Sequence, residues 1–66
     1  MLTLAGILDL LTNGNVAKAE YGLHEEWYIT RRFGDSAIVY CNQDGEHLNE
    51  VVPLTESNLE AWYTIL

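Results

Sequence analysis

The first apolar stretch of the chain has helical spacing. Leu4, Ile7, Leu8 and Leu11 fall at i, i+3, i+4 and i+7, with Asp9 on the other side. Thr3 supplies an N-cap and Asn13-Gly14 a stop, because both stop residues tolerate the left-handed backbone that ends helices. Gly6 sits inside this helix at a cost of about 1 kcal/mol relative to alanine, which close packing against a sheet would explain.

From residue 16 the period changes to two. Val16 to Tyr21 places Ala17, Ala19 and Tyr21 on one face and reads as a strand, although its helix propensity is also fair. Glu26 to Phe33 is a stronger strand, with Trp27, Ile29 and Phe33 alternating with Tyr28, Thr30 and Arg32. Gly34-Asp35 marks a tight hairpin, and Ala37 to Asn42 is its return strand. A two-residue loop would put Ile38 and Tyr40 on the Trp27 face. A three-residue loop would put Ala37, Val39 and Cys41 there, which is less crowded and is the register expected.

Asp44-Gly45 is the strongest turn signal and predicts a further strand from Glu46 to Val52, ended by Pro53. Ser57 and Glu60 match the S-x-x-E capping box, with Thr55 as an alternative cap. The helix they start would run to about Tyr63 and bury Leu59, Trp62 and Leu66. The expected fold is a small two-layer α+β domain: an N-terminal helix, a three- to four-stranded antiparallel meander and a short C-terminal helix.

Length is consistent with this pattern, since 66 residues make a single domain, 1–66, with a radius of gyration of about 11 Å. Ten Leu, four Ile, four Val and seven aromatics are too apolar for a disordered tail. The run from Met1 to Leu11 is broken by Gly6 and Asp9 and is too short to span a bilayer. No Lys or Arg precedes it, as a secretory signal would require. The lone Cys41 cannot form an internal disulfide, which fits a reducing, cytoplasmic setting.

Charge adds the one feature that points outward. The formal charge is −7, and it is segregated: residues 1–32 hold four acids and three bases, whereas residues 33–66 hold six acids and no base. Such a balance opposes direct binding to nucleic acid or to anionic membranes. Ordinary solubility accounts for acidity of this size. Segregated acids that nothing internal neutralises also suit a basic groove on a partner.

Candidate chemistry is sparse. Glu25 and Glu26, beside His24, are adjacent on a strand, so their carboxylates diverge and cannot converge on one proton. His24, Cys41 and His47 lack the close pairing of metal ligands. Cys41 lies in an apolar run without a neighbouring cation, so no reactive thiolate is expected. Arg31, on the Trp27 side of its strand, reads as an apolar-packed stem with its head in water or on an acid, or as an interface anchor. Seven aromatics cannot all be hidden in so small a body, and Tyr28 and Tyr63 are the expected exposed contacts.

No catalytic set, cofactor or metal is therefore expected. The expected function is that of a small acidic inhibitor occupying a nucleic-acid-handling protein with a basic groove, of the kind phages encode as anti-CRISPR or anti-restriction proteins. Asp44, Glu46, Glu50, Glu56 and Glu60 would carry the charge, with Tyr28 and Tyr63 as anchors. The alternative is a non-catalytic interaction module, an immunity- or antitoxin-type partner or a homodimeric subunit, held by exposed aromatics.

Overall fold

In a computed structural model, which describes residues 2–66, Thr3 caps a first helix, α1, over Leu4–Leu10. Its Oγ1 accepts the Gly6 N–H at 3.3 Å. Leu4, Ile7 and Leu11 are buried, as the spacing predicts. A Cβ at Gly6 would meet Leu2 at an ordinary 3.5 Å, so close packing against the sheet does not require this glycine.

Four strands follow: β1 Val16–Tyr21, β2 Glu25–Arg31, β3 Ile38–Cys41 and β4 Trp62–Ile65, with a second helix, α2, at Glu56–Glu60. They form one antiparallel sheet in the order β3-β2-β1-β4. The fold is thus small α+β, with an N-terminal helix, a four-stranded antiparallel sheet and a short C-terminal helix. Ala17 and Ala19 face Ile29, Trp27 and Tyr63 across the ladders, on the side that the helices cover. The core gathers there: Leu4, Ile7, Leu11, Ala17, Ala19, Ile29, Ala61 and Tyr63.

The loop register differs from the expected one. Arg31 pairs with Ile38 and Ile29 with Tyr40, so Ile38 and Tyr40 share the Trp27 face, while Val39 lies opposite Thr30 on the other. The connection is wider than a tight turn: the Arg32 N–H donates to the Ala37 carbonyl at 2.7 Å, and both Gly34 and Ser36 adopt positive φ. Phe33 leaves the strand and lies exposed over Gly14, where a Cβ would come within 2.9 Å of its ring.

Residues 46–52 do not form the predicted regular strand. They run beside β3 with an irregular backbone: Tyr40 N–H donates to Glu50 O, Asn49 N–H to Tyr40 O and Val52 N–H to Ile38 O, all at 2.9–3.0 Å. His47 at φ 54° breaks the alternation. Gly45 packs on Val16, so the 42–46 turn folds over the sheet face opposite the helices, the face that carries the buried Val39 and Thr30.

At the C-terminal end, Thr55 rather than Ser57 is the cap, with Oγ1 accepting the Asn58 N–H. The helix stops at Glu60 instead of running to Tyr63. Trp62-Tyr63-Thr64-Ile65 is aromatic and β-branched, and β1 offers it a free edge, so it pairs there as β4. Leu59, Trp62 and Leu66 are consequently exposed, and Ala61 and Tyr63 are buried in their place. Both sheet edges are partly covered, β3 by residues 49–52 and β4 by Leu2, which exchanges two backbone hydrogen bonds with Tyr63.

Candidate functional site

Asn58 sets where the acids of α2 lie. It is buried, and its Nδ2 donates to the Tyr40 hydroxyl at 2.8 Å and to the Pro53 carbonyl at 2.9 Å. Its own carbonyl accepts the Tyr63 hydroxyl at 2.8 Å. These bonds hold α2 against the helix-facing side of the sheet, and Glu60 reaches the end of β1, where the Tyr21 hydroxyl donates to it at 3.3 Å.

Besides Glu60, the carboxylates of Glu56 and Glu25 lie close enough for their charge to act on that hydroxyl. The charge of Glu60 raises the Tyr21 pKa most, followed by burial, the charge of Glu56, the Glu60 hydrogen bond and the charge of Glu25. Glu25 is brought there by the hairpin, which pairs it directly with Tyr21. The Tyr21 ring tilts against Trp27, with centroids 6.5 Å apart. The result is an acidic surface, Glu25, Glu56 and Glu60, set around an aromatic pair.

The described bases are engaged elsewhere. Lys18 pairs with Glu26 at 3.2 Å on the opposite sheet face. Arg32 holds Asp35, whose carboxyl is pulled down to about 2 by that bond and by the Ala37 N–H. Arg31 donates to the carbonyls of Leu8, Leu11 and Ser36. Its head therefore pairs with no acid: it satisfies the open C-terminal end of α1 and ties that end to the β2–β3 connection.

The remaining expected acids lie apart from this surface. Asn42 Oδ1 accepts the N–H groups of Asp44 and Glu46, both at 2.9 Å, in the turn that packs on Val16. Val16 and Tyr21 are the two ends of β1, about 17 Å apart at the usual strand rise. Asp44 and Glu46 are thus on the other side and at the other end of the sheet from Glu56 and Glu60. Glu50 lies along the β3 edge, and with the 46–52 backbone irregular it shares no strand face with Glu46.

Tyr63 is a correction. It has no exposed surface, so it cannot anchor a partner, and it packs in the core because β4 turns it towards the helices. Tyr28 is half-buried on the open face, opposite Lys18 and Cys41. Trp62, expected in the core, is half exposed on that same face.

Glu25, set aside from the sequence as one of a diverging pair, and Tyr21, placed there only on a strand face, both belong to this surface. Gly22, at φ 66°, was the available signal, since a hairpin closing on Gly22-Leu23-His24 places residues 21 and 25 opposite each other.

Among the described residues, no three His, Cys, Asp or Glu side chains are placed to hold a metal ion. Burial pushes the Cys41 thiol pKa up, which lowers its thiolate fraction. No described helix is long and apolar enough to cross a membrane. Comparison with family models, curated proteins and solved structures finds no match to this chain.

Proposed function

We propose that this chain is a small acidic binding protein that inhibits a nucleic-acid-handling partner by occupying its basic groove, without chemistry of its own. The observation that carries the reading is the Glu25, Glu56 and Glu60 surface around Tyr21 and Trp27, from which Lys18, Arg31 and Arg32 are held away by other partners. Uncompensated carboxylates speed encounter with a cationic groove and discriminate against acidic partners. Phage inhibition of bacterial defence, in a cytoplasm, is the setting in which such a blockade acts. Asp44, Glu46 and Glu50 add long-range attraction in this reading and do not share the contact surface.

The test is capture of partners from bacterial lysate by tagged protein at low and high salt, with identification by mass spectrometry and assay of the captured protein's nucleic-acid activity. The expected result is a nucleic-acid-handling protein held at low salt, released at high salt and inhibited by the free chain. The double variant Glu56→Lys with Glu60→Lys should abolish capture. Capture and inhibition unchanged by that variant would overturn the reading.

A second reading rests on the open sheet face, where Trp62 stands exposed on β4 and Tyr28 is half-buried on β2, with β1 between them. A partner held by this face would resist high salt and be lost on substituting Tyr28 and Trp62 by alanine.

A further inference from the structure

Asn13-Gly14 is the only Asn-Gly step in the chain. Such a step carries its own chemistry. The Gly14 nitrogen, on losing its proton, attacks the side-chain carbonyl carbon of Asn13. A nitrogen–carbon bond forms, the bond to the amide nitrogen breaks, and ammonia leaves with the proton. Water then opens the resulting succinimide at one carbonyl or the other, giving aspartate or isoaspartate. Glycine in the second position leaves its nitrogen open to this attack, since it has no Cβ and turns freely. Asn15, Asn42, Asn49 and Asn58 are followed by Val16, Gln43, Glu50 and Leu59, whose side chains hinder it. Asp44-Gly45 offers the same nitrogen to a carboxylate, a poorer electrophile near neutral pH.

The fold leaves the amide in solvent and engages the attacking nitrogen. Asn13 and Gly14 are both exposed. The Gly14 N–H nevertheless donates to the Arg31 carbonyl at 3.0 Å, within the parallel bridge that Asn13 makes with β2. The Phe33 ring lies over Gly14. The chain is tied on both sides of the step: Arg31 Nε donates to the Leu11 carbonyl at 2.5 Å, and the Thr30 hydroxyl donates to the Asn15 carbonyl at 2.6 Å. Asn13 Oδ1 itself accepts the Ser36 hydroxyl at 3.3 Å. Attack therefore needs a local opening that frees residues 13 and 14 from β2.

We infer that Asn13 is a deamidation site latched by β2: the Gly14–Arg31 hydrogen bond and the Phe33 ring keep it closed, and opening of the link between α1 and β1 releases it. The two products act differently. Aspartate keeps the backbone and takes the formal charge one unit below −7. Isoaspartate lengthens the backbone by one carbon between residues 13 and 14, so the bridge to Arg31 cannot be kept in register. Its formation is a one-way release of the segment that Arg31 ties to the end of α1.

The test incubates the folded chain, the chain in urea and four variants near neutral pH, and follows conversion by intact mass and peptide mapping. In urea, Asn13 should convert before any other asparagine. The folded chain should convert more slowly by about tenfold or more, because only its open fraction reacts. Asn13→Gln should remove the event. Phe33→Ala, at a side chain 72% exposed and so dispensable for folding, should speed conversion of the folded chain about threefold or more. Arg31→Lys should speed it more, relative to the stability lost, than Tyr63→Phe, which weakens the fold away from this link.

Equal rates in the folded and urea-treated chain would overturn the latch. So would acceleration by Arg31→Lys and Tyr63→Phe in simple proportion to lost stability, since only global unfolding would then open the site. Conversion that persists in Asn13→Gln would overturn the assignment of the residue.

Discussion

The Tyr63 hydroxyl donates to the Asn58 carbonyl at 2.8 Å, joining the last strand to the helix that precedes it. The ring has no exposed surface, and burial pushes the phenol pKa up to about 12. In the unfolded chain the same phenol ionises near 10. Between these values the unfolded state has lost a proton that the folded state keeps, so stability falls as pH rises. The contribution is complete below about pH 10 and lost by about pH 12. Tyr63→Phe should cost about 1 kcal/mol at neutral pH and flatten this alkaline loss. Urea midpoints measured from pH 7 to 11 check it, and an unchanged alkaline slope would contradict it.

Arg31 should be irreplaceable by lysine. Its planar head serves the carbonyls of Leu8, Leu11 and Ser36 together, whereas an ammonium on a flexible stem cannot span all three. Arg31→Lys should destabilise by about 1.5–3 kcal/mol, the usual worth of lost charged hydrogen bonds. Fast amide exchange in the last turn of α1 should accompany the loss. Retained stability would mean that solvent replaces these bonds.

The turn over the open face should be more sensitive than the β1–β2 turn. Gly22 and Gly45 have similar positive φ, 66° and 80°, but a Cβ at Gly22 meets nothing within 4 Å, whereas one at Gly45 falls 2.8 Å from Val16 Cγ2. Gly22→Ala should cost about 1–2 kcal/mol for the backbone alone. Gly45→Ala should cost more, and Val16→Ala combined with it should return part of the excess. Thermal melts of the four proteins read this directly.

Asp35 should titrate well below an ordinary carboxyl. The Arg32 bond and the Ala37 N–H hold its pKa near 2, against 3.8 ordinarily. Its stabilisation is therefore complete above about pH 4 and lost as pH falls towards about 2. NMR titration of the side-chain carbon should show the low midpoint, and Asp35→Asn should remove this share of the acid sensitivity. A midpoint near 3.8 would mean that the pair with Arg32 is not kept in solution.

Much of the architecture was readable from local pattern. The Leu4–Ile7–Leu11 spacing and Thr3 cap describe α1, and the two-residue period of 16–21 and 26–31 describes the hairpin at the sheet centre. Those signals are local: helix and strand periods are properties of neighbouring side chains. The candidate acids Glu56 and Glu60 were legible as a helical pair for the same reason.

What the chain alone determined is therefore α1, the approximate places of β1, β2 and β3, and its segregated acidity. Tertiary structure decided the rest. Trp62 to Ile65 became a strand because β1 had an open edge, which no window around those residues contains. Residues 46–52 gave up regular pairing as their turn folded over Val16. Glu25 joined Glu56 and Glu60 only because a hairpin and a helix meet at Tyr21. Strand partners, edge covers and surface clusters depend on contacts between residues distant in sequence, and burial decides among them only once the layers pack.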